Sequence, residues 1–178
     1  MTSSEEEIIL KTQSSKEIRL YNILFPIWLL IWIPSYLWLF LIPANYLIDR
    51  LVLSWSLRNE DSRKELVRKN TWKACIAGFA ADLAGSLFLL AVYLLIDKLN
   101  LPSEQAMENA LGWNPFTSLP GILIVLLAVL ISGILIFLLD RSILCKAGLD
   151  HEKAKKSALT MAVCTAPYLF LVPSSIIY

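Results

Sequence analysis

The side chain best placed to do chemistry is Asp82. It stands nine residues beyond Lys73 in a stretch, 74–96, that holds no other Asp, Glu, Lys or Arg. At about 1.5 Å per helical residue it lies roughly 13 Å into that run, near the midplane of a ~30 Å apolar bilayer core. A carboxylate there is costly unless it is paired, protonated or hydrated, so its functional reading is a group that handles a proton or a cation. The structural alternative is an acid that hydrogen-bonds neighbouring helices and fixes their packing. At 100° per residue Ala74, Gly78, Ala81, Asp82 and Gly85 share one arc, and small residues on one face let a second helix approach closely. Ser86 and Tyr93 extend the polar edge beneath Asp82.

Arg50 is the candidate partner. It precedes Arg58 by eight residues, about 12 Å of helix, which matches the depth of Asp82, and an ion pair between them would neutralise two costly charges. The alternative sets Arg50 at the interface, on a wet face formed by Arg50, Ser54 and Arg58 at i, i+4 and i+8, with Asp82 protonated or solvated. Asp49, beside Arg50, is the remaining intramembrane acid on this reading. The pattern around it recurs: Leu47-Ile48-Asp49-Arg50, Leu95-Ile96-Asp97-Lys98 and Leu138-Leu139-Asp140-Arg141 each place an acid and a cation after an apolar run. Either the chain duplicates a unit around a shared site, or its runs leave the membrane where charge begins and the long cations snorkel back. Little else around the three copies matches, which favours the second.

Several chemistries are disfavoured by what is missing. His151 is the single histidine, between Asp150 and Glu152 at a solvated helix start, so no histidine-based triad or histidine metal cluster can form within the apolar runs. Neither a Gly-x-Ser-x-Gly, His-Glu-x-x-His or Walker pattern nor a dinucleotide glycine pattern occurs. Aspartyl chemistry needs two facing carboxylates, and only Asp82 reads as deep. Cys75, Cys145 and Cys164 are too few and scattered for a disulfide framework or a zinc site. The chain therefore reads as a non-enzyme with neither metal nor cofactor. Trp28, Trp32 and Trp38 pack or anchor at headgroup level, with binding of an apolar ligand as the alternative.

These residues need helices to place them. The first apolar region, 20–57, carries no charge before Asp49, and Pro26, Pro34 and Pro43 divide it. Proline removes a helical hydrogen bond and clashes with the preceding turn. A broken hairpin is expected, with a short leg over about 23–33, a turn at Pro34-Ser35 and a longer leg over about 36–57. The rival is one tilted span over 22–42 followed by an interfacial helix from Pro43. Three secure spans follow, 74–96, 119–139 and 157–178, the last interrupted by Pro167 and Pro173. A short helix capped by Ser103 and ended by Gly112 fits the loop between the first two. Asp150 fits as the cap of a helix running into the last. The whole is an all-α, polytopic transmembrane bundle of four to five membrane segments: a polar arm over 1–19 and one transmembrane domain over 20–178. Glu5, Glu6 and Glu7 ahead of any apolar run argue against a cleavable signal.

Composition agrees. The 178 residues are 57% hydrophobic and only 17% charged, against about 25% charged in ordinary soluble domains, and the mean hydropathy is +0.61. This excludes a disordered chain, a disulfide scaffold and an ordinary soluble enzyme. Lys and Arg concentrate in 58–73 and 140–156, whereas 97–118 has one cation, Lys98, and three acids. Basic loops stay in the cytoplasm, so these two segments and the N-terminus are expected inside a cell membrane. The basic segments lack interleaved stacking aromatics, so no nucleic-acid partner is expected. The expected partners are the lipid bilayer and other membrane subunits or further copies of this chain. Function then divides into a non-enzymatic subunit of a membrane complex, the favoured class, and a small oligomeric transporter or channel using Asp82 and the broken helices.

The stretches Phe25-Pro26-Ile27-Trp28-Leu29-Leu30, Ile42-Pro43-Ala44-Asn45-Tyr46-Leu47-Ile48-Asp49 and Gly78-Phe79-Ala80-Ala81-Asp82-Leu83 resemble small multi-pass membrane proteins of Gram-positive bacteria without assigned function. The resemblance covers roughly residues 20–90. It implies a bacterial plasma membrane and no mechanism.

Overall fold

In the computed structural model, residues 38–99 and 104–176 are described, and they contain helices and turns but no strand. Numbered over these residues, α1 is Trp38–Ser56, α2 Arg63–Leu99, α3 Glu104–Gly112, α4 Leu119–Lys146 and α5 His151–Thr165. Single 3-10 turns cover Pro115–Thr117, Tyr168–Leu171 and Ser174–Ile176. Two helices, α2 and α4, are long and apolar enough to cross a membrane. The short leg of the expected hairpin, with Pro26, Pro34, Trp28 and Trp32, lies outside the described residues, as do the arm over 1–19 and Ser103.

The expectation of three secure spans needs correction at 157–178. That stretch is not one helix: α5 begins earlier, at His151, and ends at Thr165. Its 15 residues extend about 22 Å, short of the apolar thickness of a bilayer. The cause is local. Pro167 disfavours helical backbone in the residue before it, and Ala166 is extended, at φ −55° and ψ 150°. The chain then continues in 3-10 turns to Ile176. The start of α5 is set by Asp150, whose Oδ2 accepts the Glu152 backbone N–H at 3.1 Å.

The expected loops also prove shorter than the basic segments. Helix α2 starts at Arg63, and α4 runs past Asp140 to Lys146. Lysine and arginine are good helix formers, so a helix need not end where charge begins. Pro43 likewise sits inside α1. Within a strongly apolar helix its missing hydrogen bond is tolerated, so the helix passes through the proline.

Packing follows from which stripe each helix buries. On α1, Asp49 and Leu53 are buried, and Leu57 continues the i, i+4, i+8 row just past the helix end. On α4 the row is Gly121, Val125, Ala128, Ser132, Ile136, Asp140 and Leu144. Helix α4 packs on both α2 and α5, and α1 closes against the same two. Ala81, Ile136, Leu53, Leu144 and Met161 centre one apolar cluster; Leu89, Val125, Ala128 and Phe170 centre another further along α2 and α4. The outward faces of α1, α2 and α4 expose leucines throughout, as a lipid-facing surface does.

Close helix contact depends on Gly85. A Cβ there would collide with Ser132 Oγ and press on Phe170 and the Ala128 carbonyl, and Ser132 Oγ donates to the Ala81 carbonyl at 3.0 Å. The end of α4 closes with a Schellman motif: the Leu149 N–H bonds the Leu144 carbonyl and the Gly148 N–H that of Cys145, both at 3.1 Å. Gly148 supplies the left-handed residue at φ +89°, and Leu149 packs over Leu144 in the adjoining cluster.

Candidate functional site

The site builds up from α1. Its inward stripe brings Asp49 to 2% exposure, while Arg50, one residue or about 100° further round, is exposed. Helix α4 repeats this arrangement: Asp140 is 2% exposed between Ile136 and Leu144, and Arg141 points outward. Helix α2 supplies Asp82, half-buried beside the fully buried Ala81. Asp49 and Asp140 are thus turned inward from α1 and α4, and Asp49 lies within electrostatic range of Asp82 and of Asp140. Asp49 lies seven residues before the end of α1 at Ser56 and Asp140 six before the end of α4 at Lys146, about 9–11 Å of helix, and Asp82 lies nine residues after Lys73 within α2.

Their hydrogen bonding is sparse. Both carboxylate oxygens of Asp140 and Oδ1 of Asp82 are buried without a hydrogen-bond partner. Asp49 Oδ2 accepts from Asn45 Nδ2 at 3.5 Å, and the same nitrogen lies 3.7 Å from Cys75 Sγ, both long contacts. The ion pairs among the described residues are elsewhere, Lys69–Glu65 and Lys153–Glu60. The expected pair between Arg50 and Asp82 is not formed: Arg50 lines a polar groove with Ser54 and Arg58, which is the wet face of the alternative reading. Asp82 and Asn45 instead line a cavity of about 340 Å³ closed by Leu41, Ile48, Phe79 and the chain from Cys164 to Val172. The bends at Pro167 therefore form one wall of the space that Asp82 faces.

The other candidates divide. Ala81 and Gly85 are buried against α4, whereas a Cβ at Gly78 would meet nothing within 4 Å. Ser86 is buried next to Gly85 and Tyr93 is half-buried against the second apolar cluster, a turn or more beyond Asp82. Trp38 stacks on Phe79, with ring centroids 6.4 Å apart. His151 is exposed, its Nδ1 3.5 Å from Cys145 Sγ. No group of three His, Cys, Asp or Glu side chains among the described residues is arranged to hold a metal ion. Sequence reasoning passed over Asp140 and Asn45. A signal for Asp140 existed: it continues the i+4 row from Ser132 and Ile136, and it stands in the same Asp-cation pattern as Asp49.

Comparison with family models, curated proteins and solved structures finds no match to the chain.

Proposed function

We propose that this chain is a multi-pass α-helical protein of a cell membrane, and that it binds and passes on a proton at the buried aspartates Asp49, Asp82 and Asp140. The observation that carries this is the 2% exposed carboxyl group of Asp140, whose two oxygens have no hydrogen-bond partner among the described residues. An uncompensated carboxylate in an apolar layer is costly, and the groups that relieve it are a proton, a cation or water. Among the described residues no cation pairs with these carboxyl groups, and a proton is the smallest group that relieves them. The cavity beside Asp82 and Asn45 supports a route to it, walled by helix-breaking residues as transporter sites often are. The bacterial plasma membrane follows from the resemblance, and the inside position of the basic helix ends from their charge.

Reconstitution tests this. Liposomes containing the protein and an internal pH dye are expected to dissipate an imposed pH gradient faster than empty ones. Asp82→Asn and Asp140→Asn should each reduce that flux about tenfold or more, the scale expected when a proton-transfer group is removed. Flux unchanged in both folded variants would overturn the proposal.

A second reading, a non-enzymatic subunit of a larger membrane complex, is favoured by Gly78 and Gly133. Both are helical glycines with open space where a Cβ would stand, as a close helix partner requires. Co-purification of a stoichiometric partner in mild detergent, lost in Gly78→Leu, would favour it.

A further inference from the structure

We infer a binding site for an anionic phospholipid headgroup in the groove between the end of α1 and the start of α2. This groove, about 960 Å³, is lined by Arg50, Arg58, Arg63, Lys64 and Arg68. Three acids share it, Glu60, Asp61 and Glu65, but two are already engaged. Glu60 holds Lys153 at 2.8 Å and Glu65 holds Lys69 at 2.6 Å, and neither lysine lines the groove. Asp61 alone is left against five cations, none of which forms an ion pair among the described residues. Arg63 is fixed in place, its Nε and Nη2 both donating to Ser54 Oγ at 3.1 and 2.6 Å. Guanidinium groups match phosphate oxygens in a bidentate fashion.

The surroundings select a lipid over a soluble anion. Arg50 stands within α1, six residues before its end at Ser56 or about 9 Å of helix, and Arg58 lies in the turn beyond it, so the positive groove climbs the helix away from its polar end. Beside it α1 exposes Leu47, Leu51 and Trp55, at 55%, 61% and 57%. Acyl chains along these side chains would place a phosphate beside Arg50 and Arg58, the arrangement by which basic clusters at helix ends recognise anionic headgroups. The inference does not depend on the aspartate cluster.

Native mass spectrometry and thermal unfolding of the detergent-purified full chain test it, with phosphatidylglycerol, phosphatidylcholine or inorganic phosphate added. Phosphatidylglycerol should be retained at least about tenfold better than phosphatidylcholine and should raise the melting temperature. Arg50→Gln with Arg58→Gln should abolish that preference, while Lys155→Gln with Lys156→Gln, which do not line the groove, should keep it. Equal retention of the two lipids by the unmodified chain overturns the inference and needs no variant to fold. Equal loss in the Lys155 and Lys156 variant overturns it in favour of diffuse charge. Inorganic phosphate that stabilises as well as phosphatidylglycerol, and displaces it, overturns the lipid assignment in favour of a free-anion site.

Discussion

An aspartate set between Ile136 and Leu144 gives up its hydration on folding and gains no hydrogen bond in return. Removing the charge while keeping the shape is then expected to help the fold: Asp140→Asn should match or exceed the original chain in thermal midpoint in detergent, because an unpaired buried charge destabilises by several kcal/mol while a neutral amide costs less. A melting temperature that falls by more than a few degrees would show that Asp140 has a stabilising partner and would weaken the case for an exchangeable ligand. The exposed pairs behave differently. Glu60 raises the affinity of Lys153 for its proton, mainly through their hydrogen bond, so that pair contributes fully below the ordinary lysine range and is lost as pH rises through the raised value. Lys69 lowers the pKa of Glu65 by the same cause, so that pair is complete at neutral pH and is lost only as pH falls through the depressed value. Glu60→Gln should therefore lower stability at neutral pH, and its difference from the original chain should close in strong alkali; a gap that persists there would assign the effect to something other than the ion pair.

At the scale of elements, two glycines that look alike in sequence are expected to respond in opposite ways. Gly85→Val pushes side-chain atoms into Ser132, Phe170 and the backbone of α4, and overpacking of that kind costs about 1–3 kcal/mol. Gly78→Ala meets open space and gains helix propensity, so its stability should stay level or rise by up to ~1 kcal/mol. Gly148→Ala, at φ +89°, should lose about 1 kcal/mol because a Cβ is strained in the left-handed region. Denaturant or thermal unfolding of the three variants in one detergent checks all of them, and equal effects at Gly78 and Gly85 would contradict the packing of α2 on α4. The elements also show what was legible beforehand. The cap at Asp150, the stop ahead of Pro167 and the apolar cores of α2 and α4 are local, and side-chain chemistry in a few neighbouring residues dictates them. The extension of α2 and α4 through basic residues was not legible, because hydropathy marks where lipid would end rather than where hydrogen bonding ends.

For the whole molecule, the proposed topology, with the basic segments inside and α4 crossing the membrane, is open to test by labelling. In a background with Cys75, Cys145 and Cys164 replaced by alanine, Asn114→Cys should react with a membrane-impermeant maleimide in intact cells. Lys155→Cys should react only after permeabilisation. Labelling of both from the same side would refute the assignment of α4 as a complete span. The sequence by itself determined that the described residues are helical, that basic residues concentrate in 58–73 and 140–156 and that an acid, Asp82, lies deep in an otherwise uncharged run, since composition and 1.5 Å spacing suffice for each. It left open which member of an Asp-Arg pair faces inward. Adjacent residues differ by 100° around a helix, so only the rotation of α1 and α4 against their neighbours could decide, and packing Leu53, Ile136 and Leu144 into one core turns Asp49 and Asp140 toward Asp82. That rotation also places Arg50 on the outside. The inward turn of both acids is thus decided by tertiary packing, because the local i+4 row around Asp140 marks a shared face without saying whether that face is buried.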